Sequence, residues 1–347
     1  MIKENIDEEM LKKDRIVLIP YVYRRYNPNE LELNKLNILK KHYVVDKDFA
    51  DPIDISTIIR TRAVIMGWME EHLDARKKRN ILLYKLLGAK IIWTFHNKAP
   101  HDAKNTAQAV KNMRWLADTA DIIFIHSKSS KELIPGKEKN KQKAFYVPHI
   151  KYDIVPVDKY SDLLRDEYEI KKDDFVFLCF GLIRPYKNIE SCIRTFLSLN
   201  KPKTKLIIAG NVVDREYADS LIKEAGANPN IIFIYKHISN PLLSGILAIS
   251  DVVLITYHVE TCINSGVMIH SFSAAKTVVM PDMCSARDYK DKDFIYIYND
   301  NDIEGALNRA YNAGKDKNCV AGLAARDEMN HFNNIDEVEK AILSAIG

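Results

Sequence analysis

The sequence predicts an α/β protein made of two doubly wound parallel-sheet domains in tandem. Short runs of β-branched and aromatic residues recur along the chain, separated by stretches in which apolar residues have helical spacing. Apolar runs without polar alternation are typical of parallel strands that helices cover on both faces. The series of runs restarts after about residue 170, and 347 residues with 47% hydrophobic content can fill two cores.

The predicted strands fall into two groups. They read RIVLIPY, RAVIMGW, KIIWTFH, DIIFIHS and KAFYVPH in the first group, then DFVFLCFG, KLIIAG, NIIFIYK, DVVLITY, TVVMP and FIYIY in the second. The charged segment 150–174 has no buried-strand pattern and is predicted to be the linker, so the domains are expected at 1–155 and 156–326. The tail from Asp302 to Ile346 predicts two or three helices, and the last, at about 327–347, is a candidate to pack back on the first domain.

Composition excludes several classes of protein. No apolar run reaches a membrane span and the N-terminus lacks the apolar centre of a secretion signal, so a cytoplasmic location is expected. The five cysteines form no CxxC pair, which argues against a zinc knuckle. Residues 1–155 carry 29 Lys and Arg against 20 Asp and Glu, whereas the remainder carries 22 against 27. The basic half indicates an anionic partner, but nucleic acid is disfavoured because aromatic residues are not interleaved with the cations.

The first strand of the second domain ends in a candidate anion site. In FLCFGLIRPYKNIESCIRTF, Gly181 follows the strand, and Arg184 and Lys187 stand at the opening of a helix. A glycine lets the backbone approach a ligand, and two cations beside a helix N-terminus suit a diphosphate. Taken alone this pattern is weak, because an Arg and a Lys near a helix start are more often ordinary surface residues.

A second candidate anion site follows DVVLITY. There a polar loop leads to Asn264, Ser265 and Gly266, and a helix runs from this turn to about Ala275. A turn of small residues that feeds a helix presents backbone N–H groups to an anion. Because ligands of open parallel sheets bind beyond the carboxyl ends of the strands, two such turns in one domain predict a single diphosphate pocket.

These residues resemble the nucleotide-sugar half of GT-B glycosyltransferases, over most of 175–285. The resemblance implies that Gly181, Arg184 and Lys187 bind the donor diphosphate and that the segment from Asn264 to Ser271 holds phosphate and ribose. Many retaining members have two glutamates eight positions apart here, and this chain has Ile263 and Ser271 at those places. Three further residues, of which the first is equally readable as a solvated loop carboxylate, remain candidates to contact sugar or ribose: Glu260, His270 and Ser271.

The segment WTFHNKAPHD is the most distinctive part of the first half. It is similar to the WTxHNxxPHE-like segment of bacterial polysaccharide-assembly glycosyltransferases, which are group 1-like, and FIHSKSS and YVPHIKY match further elements of that domain. A metal site is disfavoured because Pro100 removes the helical spacing that would align the histidines. His96 could instead be a core histidine. The favoured interpretation makes Asp102, or else His101, the catalytic base, with His96 and Asn97 orienting substrate.

The expected activity is transfer of a hexosyl group from a UDP- or GDP-linked sugar to a glycan, in bacterial surface-polysaccharide synthesis. The acceptor is expected to be lipid-linked, and neither a metal ion nor a cofactor is expected. The absence of the glutamate pair favours an inverting reaction. It also leaves open two alternatives, a non-catalytic GT-B-like nucleotide- or glycan-binding subunit and a nucleotide-sugar epimerase of the same fold.

Residues 74–90 combine a cationic cluster, Arg76 to Arg79, with four leucines at 82, 83, 86 and 87. A leucine face beside cations can lie on anionic lipid, which would make the protein peripheral on the inner face of the membrane. The alternative is that the leucines pack beneath the sheet while the cations face water.

Overall fold

The computed structural model describes residues 15–20, 43–45, 55–67, 69–71, 73–98, 106–154, 158–259, 262–299 and 302–347. The chain forms two compact units, Met1–His149 with Ile335–Gly347, and Ile150–Asn334. The unit boundaries therefore lie at 149/150 and 334/335 rather than at 155/156 and 326/327. The segment 150–174, which the sequence predicts to be the linker, belongs to the second unit and contains a helix.

The first unit contains a six-stranded parallel sheet in the order β2-β1-β3-β4-β5-β6. Its strands are β1 Arg15–Pro20, β2 Tyr43–Val45, β3 Thr61–Gly67, β4 Lys90–Thr94, β5 Ile122–Ile125 and β6 Ala144–Tyr146. Its helices are α1 Ile55–Arg60, α2 Ala75–Leu86, α3 Thr106–Thr119, α4 Glu138–Lys141 and the last helix of the chain, α12 Ile335–Ile346. The Lys90 amino group donates to the carbonyl of Ile346, so α12 contacts the amino end of β4.

The second unit contains another six-stranded parallel sheet, in the order β12-β11-β10-β7-β8-β9. Its strands are β7 Phe175–Phe180, β8 Thr204–Ala209, β9 Ile231–Ile234, β10 Val252–Leu254, β11 Thr277–Pro281 and β12 Ile295–Tyr298. Its helices are α5 Asp158–Glu167, α6 Ile189–Leu199, α7 Arg215–Ala225, α8 Asn240–Ile249, α9 Gly266–Ser273, α10 Cys284–Arg287 and α11 Ile303–Phe332. Each apolar run that the sequence singled out is a strand, and among the described strands only the short β2 was missed, so the prediction of two doubly wound sheets is confirmed.

The wholly buried strand β7 explains why these runs are continuously apolar. Val176, Leu178 and Phe180 pack in the core on one face of the sheet, while Phe175 and Phe177 pack on the other. Successive side chains of a strand point to opposite faces, so a strand with helices on both sides needs an apolar residue at every position.

The order of the second sheet reverses direction next to β7, whose neighbours are β8 on one side and β10 on the other. At such a topological switch point the connections leave the sheet toward opposite faces, which opens a crevice at the carboxyl ends of the two strands. The loops after β7 and β10 therefore border this crevice. They contain both of the turns that the sequence identified as anion sites.

Candidate functional site

Gly181, directly after β7, has a backbone conformation that only glycine adopts readily, with φ of 108°. A Cβ atom there would lie 2.5 Å from Nζ of Lys187. The same atom would lie 3.7 Å from the side chain of Val267, in the first turn of α9. The glycine turn, the lysine and the start of α9 therefore meet at one point.

Lys187 is a buried cation, with 3% of its surface exposed. Its Nζ donates to the carbonyl of Phe180 at 2.9 Å and lies 5.5 Å from the centre of the Tyr257 ring. Burial lowers the pKa of Lys187 to about 8, and the positive charge of Arg184 also lowers it. Burying a charge is costly unless it is paired, so an ammonium held at the switch point is suited to receive an anion.

Arg184 precedes the short 3₁₀ helix Pro185–Lys187 and is half-buried. The backbone N–H of Lys187 donates to the carbonyl of Arg184 at 3.1 Å. Ile183 forms a parallel bridge with Val212, next to the end of β8. The loop that carries both predicted cations thus forms a tight turn and is bridged on one side to the loop after β8.

The loop after β10 is joined to the loop after β7 by two hydrogen bonds. Thr256 donates its hydroxyl to the carbonyl of Lys187 at 2.7 Å, and the N–H of His258 donates to the carbonyl of Tyr186 at 3.0 Å. These two hydrogen bonds keep the loops, and therefore the two sides of the crevice, at a defined distance from each other.

The helix α9 begins where the sequence placed it. Ser265 is its N-cap, and the hydroxyl of Ser265 accepts the N–H of Met268 at 3.2 Å. Gly266 is the first helical residue, Asn264 is half-buried beside it, and the partial positive charge of the helix N-terminus lies in the first turn. The structure thus brings together Gly181, Lys187 and the turn at Gly266, as the diphosphate prediction requires.

His270 lies on the other side of this helix turn, between two aromatic rings. Tyr152 stacks on it with ring centres 4.3 Å apart, and Phe180 meets it edge-on at 5.7 Å. Burial lowers the pKa of His270 to about 4, so its imidazole is neutral at physiological pH. Ser271 is fully buried and its hydroxyl donates to the carbonyl of Val267 at 2.7 Å, so that group already has a role within the helix. Their contacts with a donor stay predictions.

In the first unit, three histidines line the carboxyl ends of neighbouring strands. The rings of His96 and His126 are 5.3 Å apart, and those of His126 and His149 are 5.5 Å apart. Nδ1 of His126 lies 2.9 Å from the carbonyl of Val147, the geometry of a donated hydrogen bond. Burial and the neighbouring histidines lower the pKa of His96 and that of His126, to about 4 for His126. The imidazoles of His96 and His126 are therefore neutral hydrogen-bonding groups.

The same edge contains a buried acid that the sequence did not single out. Glu70 follows β3 and accepts the indole N–H of Trp93 at 3.2 Å, while the side chain of Asn112 donates to its backbone carbonyl at 2.9 Å. Burial raises the pKa of Glu70 to about 7. The effect of burial outweighs the hydrogen bonds from a backbone N–H and from the Trp93 indole, so the protonated form of the carboxyl is favoured.

The structure leaves part of the predicted site without a description. His101, Asp102 and Glu260 lie outside the described residues, so their predicted roles stay predictions. Asn97 is half-buried next to His96, at the end of β4. His126 and His149 were not predicted as site residues, although each directly follows an apolar run, the position where parallel sheets place ligand-binding groups. Among the residues that the structure describes, no group of three His, Cys, Asp or Glu side chains is arranged to hold a metal ion.

Residues 161–315 match the family of glycosyl transferases group 1. A curated relative, the GDP-mannose:glycolipid 4-beta-D-mannosyltransferase of Xanthomonas campestris pv. campestris, is 22% identical over 201 residues, which are 58% of this chain and 52% of the relative. The chain thus spans about half of the length of the curated relatives it matches.

Solved structures show the same architecture. Anabaena Alr3699/HepE in complex with UDP and glucose has a TM-score of 0.68 at 12% identity, over 96% of this chain and 99% of that one. Sucrose-phosphate synthase from Thermosynechococcus elongatus has a TM-score of 0.65 at 12% identity, over 87% and 79% of the two chains. The predicted GT-B fold is confirmed, and residues 161–315 of the second unit match the model of the glycosyl transferases group 1.

Proposed function

We propose that this GT-B chain transfers a sugar from a nucleoside-diphosphate sugar to a glycan acceptor. The observation that supports this most is the convergence of Gly181, Lys187 and the N-terminus of α9 at the switch point of the second sheet. A diphosphate leaving group accumulates negative charge as the anomeric bond breaks. A buried ammonium and a helix N-terminus stabilise that charge without needing to reorganise.

On the donor side, Arg184 and Lys187 neutralise the diphosphate, and Asn264, Ser265 and Gly266 present polar groups to phosphate and ribose. Glu260, His270 and Ser271 are the candidates for contacts with the sugar or ribose. The relatives are named for GDP-mannose, or have UDP and glucose bound, so we assign the donor to the UDP- or GDP-linked hexoses. In this proposal the protein cations take the place of a metal ion.

On the acceptor side, an inverting transfer needs a base that removes the proton of the attacking hydroxyl. We assign this role to Asp102, with His101 as the alternative. His96 and Asn97 orient the acceptor, and the neutral imidazole of His126 and the ring of His149 extend this hydrogen-bonding edge. A neutral histidine can both donate and accept a hydrogen bond, as a sugar hydroxyl requires.

The acceptor that we favour is a lipid-linked glycan of bacterial surface-polysaccharide synthesis, with the protein cytoplasmic and peripheral on the inner face of the membrane. Support comes from the WTFHNKAPHD segment and from the relative named for a glycolipid acceptor. Within the described part of the chain, no helix combines the length and the apolar character that crossing a bilayer would need.

Isothermal titration calorimetry with UDP and GDP tests the donor site. We expect one of the two to bind, and Lys187→Ala to weaken binding by about 10- to 100-fold, because a hydrogen bond to a charged group contributes about 1.5–3 kcal/mol. Lys223→Ala, in the last turn of α7 and exposed, is the matched control. Failure of both nucleotides to bind, or equal binding by the Lys187 and Lys223 variants, would contradict the donor assignment.

A second function, that of a non-catalytic nucleotide- or glycan-binding subunit, is favoured by one observation. Ile263 and Ser271, which stand where many retaining members have glutamates, are both fully buried and offer no carboxylate. The two functions differ in their response to Asp102→Asn. An enzyme with this base loses about 10²–10⁴-fold in kcat with little change in donor affinity, whereas a binding subunit has no turnover to lose. Product analysis without added acceptor would reveal an epimerase.

A further inference from the structure

The helix α2 presents an unusual exposed face. Its buried residues are Asn80, Ile81 and Tyr84, which face the sheet, whereas all four leucines of its C-terminal half are exposed. Leu86 is 80% exposed, and the other three, Leu82, Leu83 and Leu87, are 39% to 50% exposed. The alternative that these leucines pack beneath the sheet is therefore wrong.

The cations lie on the same face as the leucines. Arg76, Arg79, Leu83 and Leu86 are all exposed, and they are spaced by three, four and three residues. Residues with this spacing follow one another along a single face of a helix. The face thus begins with a cationic turn and continues as an apolar stripe, and we call it the α2 face.

The neighbouring side chains extend this pattern. Nζ of Lys78 lies 5.4 Å from the centre of the Trp115 ring on α3, and Trp115 is half-buried. An indole beside a cation is a frequent arrangement at the boundary between lipid and water. Lys85 differs, because its amino group pairs with Asp121 and donates to the carbonyl of Thr119, so it adds little to the positive field.

We propose that the α2 face binds the surface of an anionic lipid bilayer. The leucines enter the boundary of the acyl chains while the arginines and lysines contact phosphate headgroups. A run of exposed leucines loses contact with water on insertion, and each basic residue near an anionic surface contributes attraction. The charge selects this occupant, since Arg76 and Arg79 on the α2 face favour anionic headgroups and would repel a second copy of the same face.

This inference deepens the proposed peripheral location, but its test does not need glycosyl transfer. The full chain is sedimented with extruded vesicles of phosphatidylcholine containing 30% phosphatidylglycerol, or of phosphatidylcholine alone, in 0.1 M and 0.5 M NaCl. We expect binding to the anionic vesicles only, weakened at the higher salt because the Debye length shortens from about 10 Å toward 3 Å.

Two double variants separate the charge from the apolar stripe. Arg76→Glu with Arg79→Glu, and Leu82→Ser with Leu86→Ser, should each lower the partition coefficient at least about tenfold. The matched controls change exposed residues of the second unit, Lys223→Glu with Arg326→Glu and Val320→Ser with Leu323→Ser, and should bind like the unaltered chain. Circular dichroism shows that each variant is folded. Titration of each variant with UDP or GDP measures nucleotide binding, so a loss of nucleotide binding is distinguished from a loss of vesicle binding.

The proposal is overturned if the unaltered chain does not sediment with anionic vesicles, or if the controls lose binding as much as the α2 variants. It is also overturned if light scattering shows that the chain self-associates and the leucine substitutions abolish only that association. In that case the occupant of the α2 face is a second copy of the chain.

Discussion

Replacing Glu70 by Gln should make the first unit more stable at neutral pH, and the gain should depend on pH in a defined way. Burial raises the pKa of Glu70 to about 7 in the folded protein, from 4.5 for an unperturbed glutamate. Between these two values the folded state holds a proton that the unfolded state has released. The free energy of unfolding therefore falls as pH rises from 4.5 to 7, and it is constant above that range. Glutamine does not titrate, so the Glu70→Gln variant does not lose this stability as pH rises.

The magnitude follows from the difference between the two pKa values. One unit corresponds to about 1.4 kcal/mol, so the ionisable carboxyl costs about 3 kcal/mol at pH 8 relative to a group that stays neutral. Between pH 5 and pH 8, the stability difference between Glu70→Gln and the unaltered chain should grow by about 2 kcal/mol. For a unit of this size, the midpoint of thermal unfolding of Glu70→Gln should rise by about 5 °C relative to that of the unaltered chain.

Calorimetric scans of both proteins from pH 5 to pH 8 measure this growth. Taking the difference between pH values cancels any effect of the amide group that does not depend on pH. Glu138→Gln, at an exposed position of the same unit that pairs with Lys141, is the control for removing a carboxylate that is not buried. If the Glu70→Gln difference is flat across this range, the buried carboxyl does not titrate near neutrality and the reasoning fails.

Three further predictions concern the donor site. Nucleotide affinity measured by calorimetry should fall between pH 7 and pH 9.5, because Lys187, with a pKa of about 8, loses its proton. Lys187→Met should bind nucleotide weakly, and its affinity should not depend on pH in this range. Gly210→Ala should lower stability by about 1–3 kcal/mol in denaturant titrations, since its Cβ would overlap the carbonyl oxygen of Gly181, and Gly67→Ala, whose Cβ would have its nearest neighbour at 3.5 Å, is the comparison. Ser265→Ala should cost about 1 kcal/mol by removing the N-cap of α9, and Ser265→Asp should restore it.

The sequence was sufficient for the sheets because each strand is buried on both faces and therefore appears as an unbroken apolar run. β2 was missed because its three residues, Tyr43–Val45, are too short to form such a run. The boundary near residue 150 was placed too late because charge was taken as the mark of a linker, whereas α5 has one charged and one packed face and lies against α8. Local patterns do not reveal which neighbour a short amphipathic helix packs against.

The donor turn was also predictable, since glycine, cations and a helix start are local features. The burial of Lys187 was not predictable from the sequence. It depends on contacts with the ring of Tyr257, which is distant in sequence, and with the carbonyl of Phe180. Glu70 was missed for the same reason. In the sequence it is one of two adjacent acids after a strand, and only the contact with Trp93 distinguishes it from exposed Glu71.

The two hydrogen bonds that join the loops after β7 and β10, from Thr256 to Lys187 and from His258 to Tyr186, bear on the thermodynamics of donor capture. A loop that is already fixed loses little conformational entropy when a ligand arrives, a cost that otherwise reaches about 0.5–1.5 kcal/mol for each immobilised side chain. The diphosphate should therefore bind with a small entropic penalty and a heat-capacity change close to that of the contact surface alone. A diphosphate that binds here as proposed therefore enters a preorganised pocket rather than a segment that folds around its ligand.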